Sequence, residues 1–236
     1  MAKNTIKKGD EYELLENPDA LADRLNKSED FVKKNKNVLL GIFALIAAAI
    51  VGGFLYYNHR TTRNAEAQSE MFQAVYYFEA DSLNKALMGD GQYLGLTQIA
   101  DQYSGTDAGK LANYYAGVAY LKLGQYQEAI DHLEDFSSND FLVQARAYSL
   151  IGDAQLELNN PGAAADSYRK AANHNANEHF SPQYLMKAAL ASELQNDYRA
   201  AVEAYDRIIN DYPQAPEVND ARKYKARAEA LAGTNN

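Results

Sequence analysis

LKLGQYQEAIDHL, residues 121–133, is the stretch on which the fold turns. Gly124 is a helix stop, and two residues later Tyr126 opens a new helix in which Ala129, Ile130 and Leu133 share one face. Reading back adds Gly117 and Tyr120. The order is then a small residue, an aromatic three on, a turn glycine, an aromatic, a small residue and a large one. Residues 148–171 return to it with Tyr148, Gly152, Asn159, Ala164, Tyr168 and Ala171. Residues 185–213 do so again with Leu185, Ala189, Asn196, Tyr198, Ala201, Tyr205, Ile208 and Pro213. The small residues Gly117, Gly152 and Ala189 stand 35 and 37 residues apart.

Spacing of this length implies antiparallel helix pairs. Close approach within a pair demands small residues, so Gly117 should face Ala129, Gly152 should face Ala164, and Ala189 should face Ala201. Tyr120, Leu133, Tyr168 and Tyr205 are then the large residues that fill the space towards the next pair. One pair cannot bury its apolar face alone, so at least three stack. A degenerate half-repeat at 96–103 echoes 208–213, and a final helix from about Pro216 to Leu231 carries Arg222, Lys223, Lys225 and Arg227 as a polar cap.

Residues 38–57, VLLGIFALIAAAIVGGFLYY, are 20 residues without a charge. As a helix they span roughly 30 Å, the thickness of a bilayer core. Tyr56 and Tyr57 close the run where an aromatic belt would sit. A cleaved signal peptide would use Ala47–Ala49, but the leader is long for an n-region and the apolar run continues past those alanines, so an uncleaved signal anchor is expected. Arg24, Lys27, Lys33, Lys34 and Lys36 precede the run, against Arg60 and Arg63 after it. The positive-inside rule therefore places the N-terminus in the cytoplasm and the repeats outside, which in a bacterium is the periplasm. Before the span, residues 11–37 read as helical, with Asn17–Pro18 as a start and Ser28 as cap of a second helix. After it, Asn64 to Met88 is expected to continue as helix until Gly89 and Gly91.

The chain has no cysteine, which excludes disulfides, thiolate metal sites and a cysteine nucleophile. The net charge is −9, and residues 1–37 hold eight basic and eight acidic residues, so the whole excess lies beyond the apolar run. An acidic domain with no basic stripe repels a phosphate backbone, and no nucleic-acid partner is expected. The four histidines include His174 and His179, which flank NANE and lack the spacing that puts two metal ligands on one helical face. No nucleophile elbow, phosphate loop or dinucleotide fingerprint is present. Neither an enzyme activity, a cofactor, a metal nor a small-molecule substrate is expected.

The repeats resemble the tetratricopeptide family. The fold class is therefore all-α, a tetratricopeptide-type helical solenoid preceded by one transmembrane helix. The domains expected are a cytoplasmic juxtamembrane segment (1–37), the transmembrane helix (38–57), a helical extension (58–90) and the repeat domain with its capping helix (91–236). The layout as a whole resembles the ancillary subunits of the bacterial Sec translocon, and residues 53–80, GFLYYNHRTTRNAEAQSEMFQAVYYFEA, look like that family's membrane exit and extension. The resemblance implies a single-pass protein of the inner membrane. It implies translocon subunits, a periplasmic chaperone or prolyl isomerase, and exported chains as partners.

Tetratricopeptide stacks bind ligands on the face lined by the first helix of each repeat. Placing the sequence on that pattern puts Tyr114, Val118 and Leu121 there, then Ser149, Asp153 and Leu156, then Met186, Leu190 and Glu193. This mixed surface suits an extended or helical peptide with apolar side chains. The Lys and Asn that clamp a C-terminal carboxylate in chaperone-tail-binding repeats are replaced by Tyr114 and Val118, so an EEVD-type tail is not an expected ligand. The function expected is an anchored adaptor that assists exported proteins at the translocon. The alternative is a scaffold subunit of a cell-envelope complex without chaperone activity.

Overall fold

The computed structural model describes residues 18–234, among which there are eleven helices and no strand. The chain divides into two compact units, Met1–His59 and Arg60–Asn236.

The first unit contains α1 (Pro18–Lys34) and the beginning of the long helix α2 (Lys36–Glu79). The expected break at Ser28 falls instead at Asn35. The Asn35 side chain and its backbone N–H both donate to the Phe31 carbonyl, at 2.8 Å and 3.0 Å. The side-chain amide there competes with the backbone N–H for one helix carbonyl. The apolar run 38–57 lies on α2 and is exposed along its length: Phe43 is 74% exposed and Leu45 73%. Among the described residues α2 is the one helix long and apolar enough to cross a membrane.

The second unit holds the end of α2 and nine further helices. These are α3 (Leu83–Met88), α4 (Leu96–Gln102), α5 (Asp107–Lys122), α6 (Tyr126–Asp135), α7 (Phe141–Glu157), α8 (Pro161–Asn173), α9 (Ser181–Leu194), α10 (Tyr198–Asp211) and α11 (Val218–Thr234). From α4 onward each helix packs on the next. This is the all-α, tetratricopeptide-type solenoid. Its pairs are α5/α6, α7/α8 and α9/α10, and α11 packs on α10 at the end of the stack.

The first helix of every pair ends the same way. Gly124, Asn159 and Asn196 have left-handed φ values of 74°, 59° and 63°. In each case that residue's N–H donates three residues back and the following N–H donates five back: Gly124 to Leu121 and Gln125 to Tyr120, Asn159 to Leu156 and Asn160 to Gln155, Asn196 to Glu193 and Asp197 to Ser192. These are Schellman caps, which satisfy the last carbonyls and turn the chain sharply enough to start the second helix.

A fourth such end lies where the sequence predicted unbroken helix. Asp81 has φ 55°, its N–H donates to the Phe78 carbonyl, and the Ser82 N–H donates to that of Tyr77. The cap therefore stops α2 at Glu79, and α3 is a separate helix. Counting from the cap, Ala74 and Ala86 occupy the register of Gly117/Ala129, Gly152/Ala164 and Ala189/Ala201. All eight of these residues are buried. The end of α2 is thus the first helix of an additional repeat. Its second helix is split into α3 and α4 by the loop around Asp90, which accepts from the Tyr77 hydroxyl at 2.7 Å and from the N–H groups of Gln92 and Tyr93 at 2.9 Å. Ala67, Met71 and Ala74 share one core with Leu87, Ile99 and Ala112. Asn64 accepts from the Ala108 N–H at 2.9 Å, Arg60 pairs with Asp107 at 3.2 Å, and Arg63 donates to the Gln102 carbonyl.

Candidate functional site

The small residues place the first helices close to their partners. A Cβ on Gly152 would stand 2.7 Å from the Tyr168 ring, so the glycine is what admits that ring. Tyr168 is fully buried, and its hydroxyl donates to Asp153 at 2.6 Å. Burial first, and then the Asp153 bond, holds the phenol well above its usual range. Tyr205 is the counterpart one repeat on. It is fully buried, donates to Glu193 at 2.8 Å and is likewise pushed up by burial and by that carboxylate.

The nine residues expected along the groove separate into four kinds. Tyr114, Val118 and Leu121 are half-buried against Leu133, Leu150 and Ile151, with the Tyr114 ring 5.1 Å from that of Phe136. Leu156 packs on the core that includes Tyr168, and Met186 on the core that includes Tyr205. Glu193 accepts from Tyr205 and Arg227, and so ties α9 to α10 and α11. Leu190 is open to solvent. Ser149 and Asp153 come together in one cleft, where the Lys187 ammonium donates to Asp153 at 2.8 Å and to Ser149 at 3.4 Å and sits 5.3 Å from the centre of the Tyr168 ring.

The open surface runs three residues earlier on each first helix. Gln68, Leu111, Arg146 and Gln183 all stand six residues before the small residue of their repeat, and all line clefts. Three residues are about 300° of helix, so this row lies roughly 60° around from Tyr114, Ser149 and Met186. The cleft between α2 and α5 has a volume of about 480 Å³ and is walled by Phe72, Tyr76 and Leu111. The next, of about 500 Å³, lies against Leu111, Phe136 and Val143. The third, between α7 and α9, has about 410 Å³ and is walled by Phe141, Leu142, Phe180 and Tyr184. The first two share Asp107 and Leu111, and the last two share Val143, so the clefts form one continuous strip. Phe72 at 76% exposed and Tyr76 at 59% are large apolar surfaces for water to cover. The signal for this row was in the sequence as Leu111, Arg146 and Gln183 at equal offsets, but the offset has meaning only once the rotation of each helix is known.

His174 caps the end of α8, its ring edge-on to Tyr148 at 5.7 Å, and His179 lies in the loop before α9. Among the described residues no group of three or more histidine or carboxylate side chains is placed to hold a metal ion.

A stack of helix pairs with sealed interiors and a strip of open clefts, apolar at either end and polar between, defines a helical-repeat scaffold for binding proteins. Residues 109–178 match one tetratricopeptide repeat family model, and residues 183–215 match a second. The chain carries tetratricopeptide repeats, the solenoid of a protein-interaction adaptor. A comparison with curated proteins gives no match.

Proposed function

We propose that this chain is a membrane-anchored adaptor that works beside the Sec translocon, its repeats in the periplasm, where they receive segments of exported proteins or of a chaperone or prolyl isomerase. One combination supports this function above all: an exposed apolar helix of bilayer length precedes a repeat domain with open apolar clefts. Leaving some twenty apolar residues in water is a large cost that a bilayer removes. The cation bias around the helix sets the orientation, and the layout shared with translocon ancillary subunits points to the location. Binding without chemistry fits a surface whose carboxylates are spread over solvated helix faces. Crosslinking in intact membranes followed by detergent solubilisation tests the proposal. Translocon subunits should co-purify with the full chain in near-stoichiometric amount. Recovery of one envelope partner with no secretion component, together with failure to suppress aggregation of an unfolded substrate, would replace it with the scaffold function.

A further inference from the structure

We infer that the cleft between α7 and α9 takes an internal, extended segment of a partner protein that presents a single carboxylate side chain between apolar neighbours, and that Arg146 pairs that carboxylate. The inference deepens the adaptor function proposed above and rests on it.

The two cations in the cleft lining differ. Lys187 is already neutralised by Asp153 at 2.8 Å. Arg146 is exposed and forms no ion pair among the described residues. It stands close enough to Tyr184 for its charge to oppose the upward push of burial on that phenol. Around it, Phe141 is 46% exposed, Leu142 41% and Phe180 40%, so the guanidinium is set among uncovered apolar side chains. Such a fork binds a carboxylate in bidentate fashion, and apolar walls that exclude water strengthen the pair.

Two further observations narrow the occupant. The cleft adjoins the next one at Val143, which leaves room for a bound chain to run past Arg146 and present a side-chain carboxylate there. The domain bears the whole net charge of −9, which repels an acidic run. One carboxylate flanked by apolar residues is what the local surface accepts.

The test uses the full chain in lipid nanodiscs, with empty discs as blank. Fluorescence anisotropy is read for an acetylated, amidated peptide with Phe-Asp-Leu at its centre. Its twin has Phe-Asn-Leu, and a third peptide has Phe-Asn-Leu with a free C-terminal carboxylate after the leucine. The Asp peptide should bind about tenfold tighter than its Asn twin, a ratio expected for one charge-assisted pair. Arg146→Gln should erase that ratio and leave the Asn twin unchanged. Equal binding of the Asp and Asn peptides, persistence of the ratio in Arg146→Gln, tightest binding by the free-carboxylate peptide, or no binding at all would each overturn the inference. Co-purification of translocon subunits is read separately, so loss of the Asp preference leaves the adaptor function standing, and loss of the translocon partner leaves the peptide result standing.

Discussion

The apolar run at 38–57 and the repeats that follow both depend on helices rich in alanine, leucine and aromatic side chains, yet they use them in opposite ways. In the repeats, apolar residues recur every three or four positions and end up inside: Ala164, Ala189 and Ala201 have no exposed surface, and Tyr168 and Tyr205 almost none. In the run they occupy every side of the helix and remain uncovered, with Phe43, Leu45 and Tyr57 each at least 70% exposed. The difference is one of pattern rather than composition. A periodic stripe is satisfied by a neighbouring helix, whereas a helix apolar all round needs an apolar medium. Helix α2 contains both patterns, since its end carries Ala67, Met71 and Ala74 in a single buried row.

The largest effect is expected from charges placed in the run. Leu45→Arg with Ala49→Arg places two charges near its middle, at about 3 kcal/mol each in a bilayer centre. The chain should leave the membrane pellet for the soluble fraction while the melting of its repeats, followed by circular dichroism, is unchanged. A shift in both would mean that the two regions are not independent. Tyr168→Ala is the reciprocal change. It empties a fully buried site and should destabilise the repeats by about 3–5 kcal/mol in urea unfolding, with no effect on sedimentation with membranes. Ala74→Leu sharpens the boundary inside α2. If the end of that helix is a repeat helix, overpacking there should cost about 1–3 kcal/mol, as Ala189→Leu should. No cost at Ala74 would restrict the stack to the three later pairs. The smallest effect belongs to Asp90. The Tyr77 hydroxyl and two backbone N–H groups hold its carboxyl down to about 2, below the usual carboxylate value. Its contribution to stability is therefore complete above about pH 4 and is lost as the pH falls towards 2. Asp90→Asn should flatten the acid limb of the repeat unfolding curve slightly and leave the neutral region alone.

The three later repeats were legible because their pairs carry both signals that the physics requires, a small residue at the crossing and a Gly or Asn in the left-handed cap. The earlier repeat was not. Its first helix has no start signal because it merges into the apolar run, its cap residue is Asp81, and Asp90 stands in the register of Leu133, Tyr168 and Tyr205. Splitting its second helix left only the 96–103 echo to be read. The break at Asn35 was misplaced to Ser28 for a similar reason, since both residue types end helices and only the hydrogen bonds to Phe31 decide between them. The placement of the open clefts shows the same limit. Repeat register alone located Ser149 and Asp153 in a cleft, but the row of Leu111, Arg146 and Gln183 depends on how far each helix is rolled, which neighbouring side chains set.

Tethering of a tetratricopeptide adaptor across a bilayer is tested by adding protease to the outside of intact bacterial spheroplasts that express the full chain. Digestion of the repeats should leave a short membrane-retained fragment containing residues 38–57, with cytoplasmic marker proteins untouched. Survival of the full-length chain until the spheroplasts are lysed, or its recovery from the soluble fraction, would contradict it.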